Sequence, residues 1–290
     1  MTGEPPRDNL RGGAWLLADL MLNIWALTIV KWLGADYPAT QIVFLRALVG
    51  LILVLPVAWH RREAFRHVAD LHLHLLRVGF AVVTLTASFF AIPRVPLATV
   101  TAIGFTRPLV TMVLAAILLR EVIGRRRWIA AGVAFLGILF AVNPSELPWN
   151  WGLAAMGIVV LSGSAAVIAT RRLRHAPVIV MMLFYTAGLA VFSAPFTALT
   201  WTPIQPGHLV PLILIGCFAQ TAQLCYLRAH FFGAAGFLSV LSYLSLVFSV
   251  STGFVFFGER PSPTFAVGAC LVVGAALWAT TSVRGSGSPD

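Results

Sequence analysis

Charge is scarce in this chain. Asp, Glu, Lys and Arg make up 10% of its 290 residues, against roughly 25% in a soluble domain. Cysteine is scarcer: Cys217, Cys225 and Cys270 are an odd set, lie in apolar stretches and share no paired spacing. A disulfide framework and a thiolate metal site are therefore not expected, and the three read as buried small apolar residues. The seven histidines offer no metal site. His60, His67, His175, His208 and His230 fall in loops or near helix ends, and His72 and His74 at i,i+2 point apart on a helix. Neither Gly-x-x-x-x-Gly-Lys-Ser/Thr nor Gly-x-Gly-x-x-Gly occurs, so ATP-driven pumping by this chain is not expected. No metal or other cofactor is implied. The segment 1–13 lacks a basic stretch followed by a short apolar run and a small-residue cleavage site, so the first apolar segment is expected to act as an uncleaved targeting signal.

What the chain has in abundance is long apolar runs. Hydrophobic residues are 59% of the total, and they fall into ten windows: 14–33, 40–59, 72–92, 97–119, 128–142, 150–170, 178–198, 209–228, 235–257 and 264–282. Each is near the ~20 residues that a helix needs to cross the ~30 Å hydrocarbon core. Window 128–142 is short and is expected to borrow from Arg125–Arg127 and Asn143. The fold class that follows is an all-α polytopic membrane protein with ten transmembrane helices and the lipid bilayer as its surroundings.

A net charge of +10 invites a nucleic-acid partner, but the positions of the charges argue against one. Fourteen basic residues fall on one side: Arg7, Arg11, Arg61, Arg62, Arg66, Arg120, Arg125–Arg127, Arg171, Arg172, Arg174, Arg228 and Arg284. Lys31, Arg94 and Arg260 fall on the other, and Arg46, Arg77 and Arg107 lie within windows. Such a bias over short loops predicts that both termini are cytoplasmic.

Five helices per half is an odd number, so a repeated half must insert upside down. The register supports a repeat. Glu121 and Glu259 close windows four and nine, and Pro56 and Pro195 sit near the ends of windows two and seven, each pair separated by nearly the same length of chain. Small-residue-rich helices follow each glutamate, with Gly132 and Gly137 in one half and Gly268 and Gly274 in the other. The division expected is a cytoplasmic segment 1–13, a first five-helix repeat 14–142, an outer linker 143–149, a second repeat 150–282 and a polar cytoplasmic tail 283–290. Inverted repeats are common in secondary transporters, which hold substrate near mid-membrane between the halves.

On these residues the chain resembles the drug/metabolite transporter superfamily, in its ten-helix family built from two EamA-type domains. Trp25-Ala26 running on to Lys31 is similar to the family's Trp-Gly opening and lysine. Phe44-Leu45-Arg46 is similar to its second-helix Phe-x-Arg, Pro108 to its fourth-helix proline, and Glu121 and Glu259 to its helix-end glutamates. Two departures stand out. Ala26 replaces a glycine, and Ser245-Leu246 stands where a proline would match Pro108, so the second half is expected to be straighter there. The length and aromatic content resemble the bacterial aromatic amino-acid exporters, which implies an inner-membrane exporter.

Single residues then divide into two groups. Arg107, deep in window four beside Pro108, must face the bundle interior because a charge in lipid is costly. It either answers a substrate carboxylate or bonds a fixed carbonyl or acid. Arg46 lines an outer vestibule or snorkels to headgroups. Asp19 and Arg77 read as a neutralising pair, with proton coupling through Asp19 as the alternative. Glu121 and Glu259 are predicted on opposite membrane faces, so they cannot form a catalytic dyad. Each reads as a helix-end ion pair, a backbone cap or a gate. The pocket candidates are Asn23, Trp25, Thr84, Ser88, Thr101, Arg107, Gln220, Gln223 and Tyr243. Gln220 and Gln223 share a helix face, Trp25 is the one mid-helix tryptophan, and Ser162-Gly163-Ser164 reads as a packing site.

The functional reading is secondary transport of a small amphiphilic metabolite by alternating access. Amino acids with apolar or aromatic side chains are the expected cargo, moved outward on a proton or substrate gradient. A multidrug or nucleotide-sugar carrier, a membrane-embedded enzyme and a non-transporting receptor are the alternatives. Phosphate cargo would want several deep basic residues, and an enzyme would want clustered acids or histidines at one depth. The oligomeric state is left open.

Overall fold

The computed structural model describes residues 8–281 apart from 35, 66–69, 119, 121–123, 143–147, 174–175, 234–236 and 239–240. The helices are α1 (Asn9–Leu33), α2 (Ala39–His60), α3 (Leu71–Ala91), α4 (Leu97–Gly104), α5 (Arg107–Leu118), α6 (Arg125–Val142), α7 (Trp151–Arg172), α8 (Val178–Leu199), α9 (Leu209–Phe232), α10 (Leu244–Phe257) and α11 (Pro263–Thr281). Among the described residues, seven segments are long and apolar enough to cross a membrane, namely α1, α2, α3, α4 with α5, α7, α8 and α9. Three shorter apolar helices, α6, α10 and α11, lie among the described residues as well. The 25 residues of α1 extend about 37 Å, enough to span the hydrocarbon core. The basic triplet Arg125–Arg127 supplies the first turn of α6, as the short window implied; Asn143 lies outside the described residues.

Local chemistry starts the corresponding helices of the two halves alike. The first helix of each half has an Asx cap: Asp8 accepts from Arg11 N at 3.0 Å, and Asn150 from Leu153 N at 3.2 Å. The second helix of each half follows a proline, Pro38 or Pro177, with φ near −57° and −56°. Pro56 and Pro195 lie within α2 and α8, each four residues from its helix end.

Contacts at the helix ends fix which way each helix runs. At one end Asp8 N donates to Phe232 O at 3.0 Å, Arg126 to Trp278 O at 2.9 Å and Arg77 to Met181 O at 3.2 Å. At the other, Lys31 donates to Val95 O at 2.8 Å and Gln41 to Thr202 O at 2.8 Å, while Tyr37 meets His208 at 2.9 Å. We call these the terminal end and the Lys31 end. α1 starts at the terminal end and its counterpart α7 starts at the Lys31 end, so the halves are inverted.

Packing carries the same symmetry. α1 lies on α9 and α7 on α3; α5 lies on α7 and α1 on α10; α2 pairs with α8, α4 with α10 and α6 with α11. Exchanging each helix for its counterpart maps α1–α9 onto α7–α3 and α5–α7 onto α10–α1, and leaves α2–α8 and α6–α11 in place. Glycine permits the close crossings. A Cβ on Gly12 would sit 2.5 Å from Gly233 Cα, and one on Gly152, near the start of the counterpart helix, 2.8 Å from Val95 Cγ2. Gly137 and Gly268 are in contact between α6 and α11, whereas Gly132 and Gly274 have nothing within 4 Å. The main buried cluster, which includes Val30, Leu33, Ile42, Phe89, Val95, Met156, Leu189 and Ile215, draws helices of both halves together at the Lys31 end.

Both halves contain a broken helix, which corrects one expectation. The Arg107-Pro108 step interrupts the ladder between α4 and α5 at Phe105-Thr106, as a proline that lacks an N–H should. The second half is not straighter. Its ladder is interrupted at Ser242-Tyr243, the corresponding place in the repeat, without any proline. Turn bonds of the i→i+3 kind replace the lost ones: Thr106 N to Ile103 O at 2.9 Å, Ser245 N to Ser242 O at 3.1 Å and Leu246 N to Tyr243 O at 3.0 Å. The reason is tertiary: Tyr243 stacks on Phe105, ring centres 5.0 Å apart and 23° between planes, so the two breaks meet. The cysteine expectation also changes. Cys225 is buried, Cys217 half-buried and Cys270 exposed on α11, all three as free thiols.

Candidate functional site

Glu259 is delivered by a left-handed turn. Gly258 follows α10 with φ 65°, its N–H bonding Phe254 O at 3.1 Å, and Glu259 N reaches back to Gly253 O at 3.0 Å. A left-handed residue just past a helix end is a position that glycine favours. Arg120, at the matching place in the first half and just before Glu121, also has a positive φ of 53°. Glu259 caps the start of α4, accepting from Leu97 N at 2.8 Å, and pairs with Lys31. Lys31 also donates to Val95 O at 2.8 Å and lies 5.4 Å from the Phe257 ring centre. Side chains of both partners are largely buried, at 10% and 18% exposure. The glutamate therefore ties α10 of one half to α1 and α4 of the other. The turn it caps belongs to the opposite half, and its ion-pair partner is Lys31. Sequence reasoning placed Lys31 in the opening motif without a site role; its signal was that it is one of three basic residues assigned to its side. Glu121 lies outside the described residues.

Asp19 and Arg77 do not pair. α1 packs on α9, and there the Asp19 carboxylate accepts from its own helix neighbour Asn23 at 2.7 Å. Arg77, on α3, donates to Thr170 Oγ1 at 2.8 Å and Met181 O at 3.2 Å and lies 5.8 Å from the Tyr185 ring centre. The two charges face opposite flanks of the bundle because α1 and α3 each dock on a helix of the other half.

Arg107 enters at the α4–α5 break and lies against α7. Its Nε is buried and has no acceptor, and a Cβ on Gly163 would stand 2.8 Å from it. The carbonyl of Arg107 accepts from Ser164 Oγ at 3.1 Å. No carbonyl or acid holds the guanidinium among the described residues, so the fixed-partner reading finds no partner there. Tyr185 is an electrostatic neighbour of both Arg77 and Arg107. Thr170 and Gly163, the α7 residues these arginines touch, are seven positions apart, so the guanidiniums sit roughly 10 Å from each other along one face of α7. Arg107 is thus not the sole deep cation.

The remaining candidates are dispersed. Thr84 and Ser162 join hydroxyls at 2.7 Å across α3 and α7, with Ser162 also bonding Ile158 O at 2.6 Å, so Ser162-Gly163-Ser164 is the surface on which α3 and α5 dock. Thr101 bonds back to Leu97 O at 2.9 Å, and Ser88 is half-buried on α3. Trp25, 41% exposed, meets Phe256 edge-on at 5.5 Å. Gln220 Oε1 would stand 3.0 Å from a Cβ on Gly50. Gln220 is half-buried while Gln223 is exposed, so the two amides do not share one environment. Arg46 is half-buried on α2. A cavity of 860 Å³ opens near the Lys31 end between α2, α3, α7 and α8, with Tyr37, Phe90, Arg94, Trp151 and Phe196 among its walls. None of the expected site residues lines it.

Comparison with known proteins joins these features to a family. The EamA-like transporter family matches residues 13–143 and again 149–281. An S-adenosylmethionine uptake transporter of Rickettsia felis is 24% identical over 93% of this chain and 92% of its own length. A pseudopaline exporter of Pseudomonas aeruginosa is 26% identical over 96% and 99%, and a riboflavin transporter of Brucella anthropi 25% over 86% and 90%. A solved crystal structure with 18% identity covers 97% of this chain and 100% of its own, with a TM-score of 0.69, which shows that the fold is shared. A bundle of long apolar helices in two inverted halves, matched twice by one family model, belongs in the bacterial inner membrane as a multi-pass transporter of small metabolites rather than an enzyme, and the chain is a member of the EamA-like transporter family.

Proposed function

We propose that the chain crosses the membrane ten times with both termini cytoplasmic, and exports small amphiphilic metabolites, chiefly amino acids with apolar or aromatic side chains. The observation that carries this reading is Arg107. Its guanidinium nitrogen is buried without an acceptor, at a helix break beside the stacked rings of Phe105 and Tyr243. A carboxylate supplied by the cargo matches the guanidinium fork, and aromatic surface at the paired breaks suits an apolar side chain. S-adenosylmethionine, pseudopaline and riboflavin are different molecules, so the relatives leave the choice of cargo to the site. On this topology the Lys31–Glu259 pair sits at the outer face as a gate. A gradient of protons or of substrate drives the cycle.

One test is efflux from liposomes holding the purified chain, comparing amino acids with their amides. Arg107→Gln is expected to reduce transport of the acids about 100-fold, in keeping with loss of a desolvated charge pair, while the amides change much less. Arg107→Lys falls between, since an ammonium keeps charge but loses the fork. Equal loss for acids and amides makes Arg107 part of the scaffold.

A second reading has one observation in its favour. Arg77 lies over the Tyr185 ring and Tyr185 is an electrostatic neighbour of Arg107 as well, which suits a cargo with two anionic groups, such as a nucleotide-sugar. Arg77→Gln selectively weakening phosphorylated cargo supports it.

A further inference from the structure

We infer that Asp19 is a proton-binding site that is emptied and refilled as the interface between α1 and α9 opens and closes. The inference rests on the transporter reading of the two halves but not on the choice of cargo.

Asp19 is 6% exposed, within a membrane-spanning helix. Its carboxylate oxygen Oδ1 accepts from the Asn23 amide at 2.7 Å, and the same amide also reaches Asp19 O at 3.1 Å. No cation bonds the carboxylate among the described residues. The groups around it come from every side. From α9 come the Cys225 thiol, buried, and Tyr226, both electrostatic neighbours of Asp19. Arg228, a turn nearer the terminal end, lies 5.4 Å from the Trp15 ring centre. From the segment ahead of α10, Phe237 and Leu241 lie against Gly13 and bring only hydrocarbon. From α10, Phe256 packs on Trp25, while Glu259 stands at the far end of α1 on Lys31. Arg77, the expected partner, bonds Thr170 and Met181.

A carboxylate withdrawn from water, with one neutral donor and no bonded cation among the described residues, is strongly disfavoured in its ionised form. In the closed interface Asp19 therefore holds a proton. α1 belongs to the first half and α9 to the second, and on this proposal theirs is the contact that opens as the transporter alternates. Once water enters, the O–H bond breaks, its electron pair stays on the carboxylate and the proton passes to water on the side then open. Release and refilling on one side move no net proton; when cargo is carried across between the two events the site empties to one side and refills from the other, so one proton crosses per cycle. Asn23 links this step to the pathway. It is exposed on the next turn of α1, and while its amide nitrogen holds Asp19, its carbonyl oxygen is left to accept from cargo.

The direct test is the difference infrared spectrum between the reconstituted full chain and D19N, with no cargo present. The expected result is a protonated-carboxyl C=O band in neutral buffer that D19N lacks, that D19E retains at a shifted position, and that disappears on alkalinisation as a single-proton titration. N23L should move the band to higher frequency, because its hydrogen-bond donor is gone. Absence of any such band at and below neutrality overturns the proposal. The functional arm uses phenylalanine as probe. D19N should keep phenylalanine exchange but lose its response to an imposed pH gradient, and a D19N response equal to the wild type overturns the coupling. Wild-type liposomes that do not move phenylalanine refute the cargo reading, and the infrared result then decides the proton site by itself.

Discussion

Ionisable side chains inside this bundle are few, and each is costly enough that its partner carries information. Glu259 is the most completely satisfied, with Leu97 N, Lys31 and the turn at Gly258 all converging on it. Because both side chains are largely buried, the pair is not an exposed ion pair of negligible worth. Glu259→Gln keeps a carbonyl oxygen for Leu97 N but leaves Lys31 without its anion, and is expected to cost on the order of 2 kcal/mol. Thermal unfolding of the purified protein checks this. In a double-mutant cycle, Lys31→Gln with Glu259→Gln should lose less than the two single losses added, because neither charge is then left alone. Additive losses would show that the two side chains act independently. The glutamate itself was legible in the sequence from its helix-end position. Its partner was not, because Lys31 lies in the opening helix of the other half, nearly the whole length of the chain away.

At the scale of helices, small residues at crossings and breaks at matched positions organise the molecule. Gly137 and Gly132 make a controlled comparison within α6. A Cβ on Gly137 would stand 2.8 Å from Gly268 O and 2.9 Å from Leu271 Cβ, while one on Gly132 would meet nothing within 4 Å. Gly137→Leu is expected to destabilise by about 1–3 kcal/mol through overpacking, and Gly132→Leu to change little. Unfolding midpoints of the two variants in the same detergent separate them, and equal effects would show that helix propensity rather than the α6–α11 crossing is being measured. The sequence pointed to glycine-rich final helices in both halves but could not tell which glycines touch. The break between α4 and α5 was readable from Pro108, a local cause. The break before α10 was not, since Ser242-Tyr243 carries no local breaker and opens where Tyr243 meets Phe105.

For the whole molecule, the charge bias and the inverted packing make the same claim about sides. The Gly124 turn and the Ser262 turn lie at opposite ends of the bundle, given that α6 starts at the terminal end and α11 at the Lys31 end. Single cysteines at Gly124 and Ser262 in a cysteine-free background should be labelled by a membrane-impermeant reagent from opposite faces, the first from the cytoplasm. Labelling of both from one face would remove the inverted topology together with the outer-gate reading of Lys31 and Glu259. By itself the sequence determined what depends on near neighbours and on solvent. Runs of apolar residues long enough to span lipid, the basic bias of alternate loops, Asx and proline helix starts and the recurrence of glutamate and proline at one spacing are each written in a stretch of chain, because partition into hydrocarbon and the first turn of a helix are local matters. Tertiary structure decided the pairings: Asp19 with Asn23 instead of Arg77, Arg77 and Arg107 with one tyrosine as electrostatic neighbour, and Glu259 with Lys31. Those depend on which helix face docks on which, and in lipid that choice is made by close packing and hydrogen bonding between segments distant in sequence.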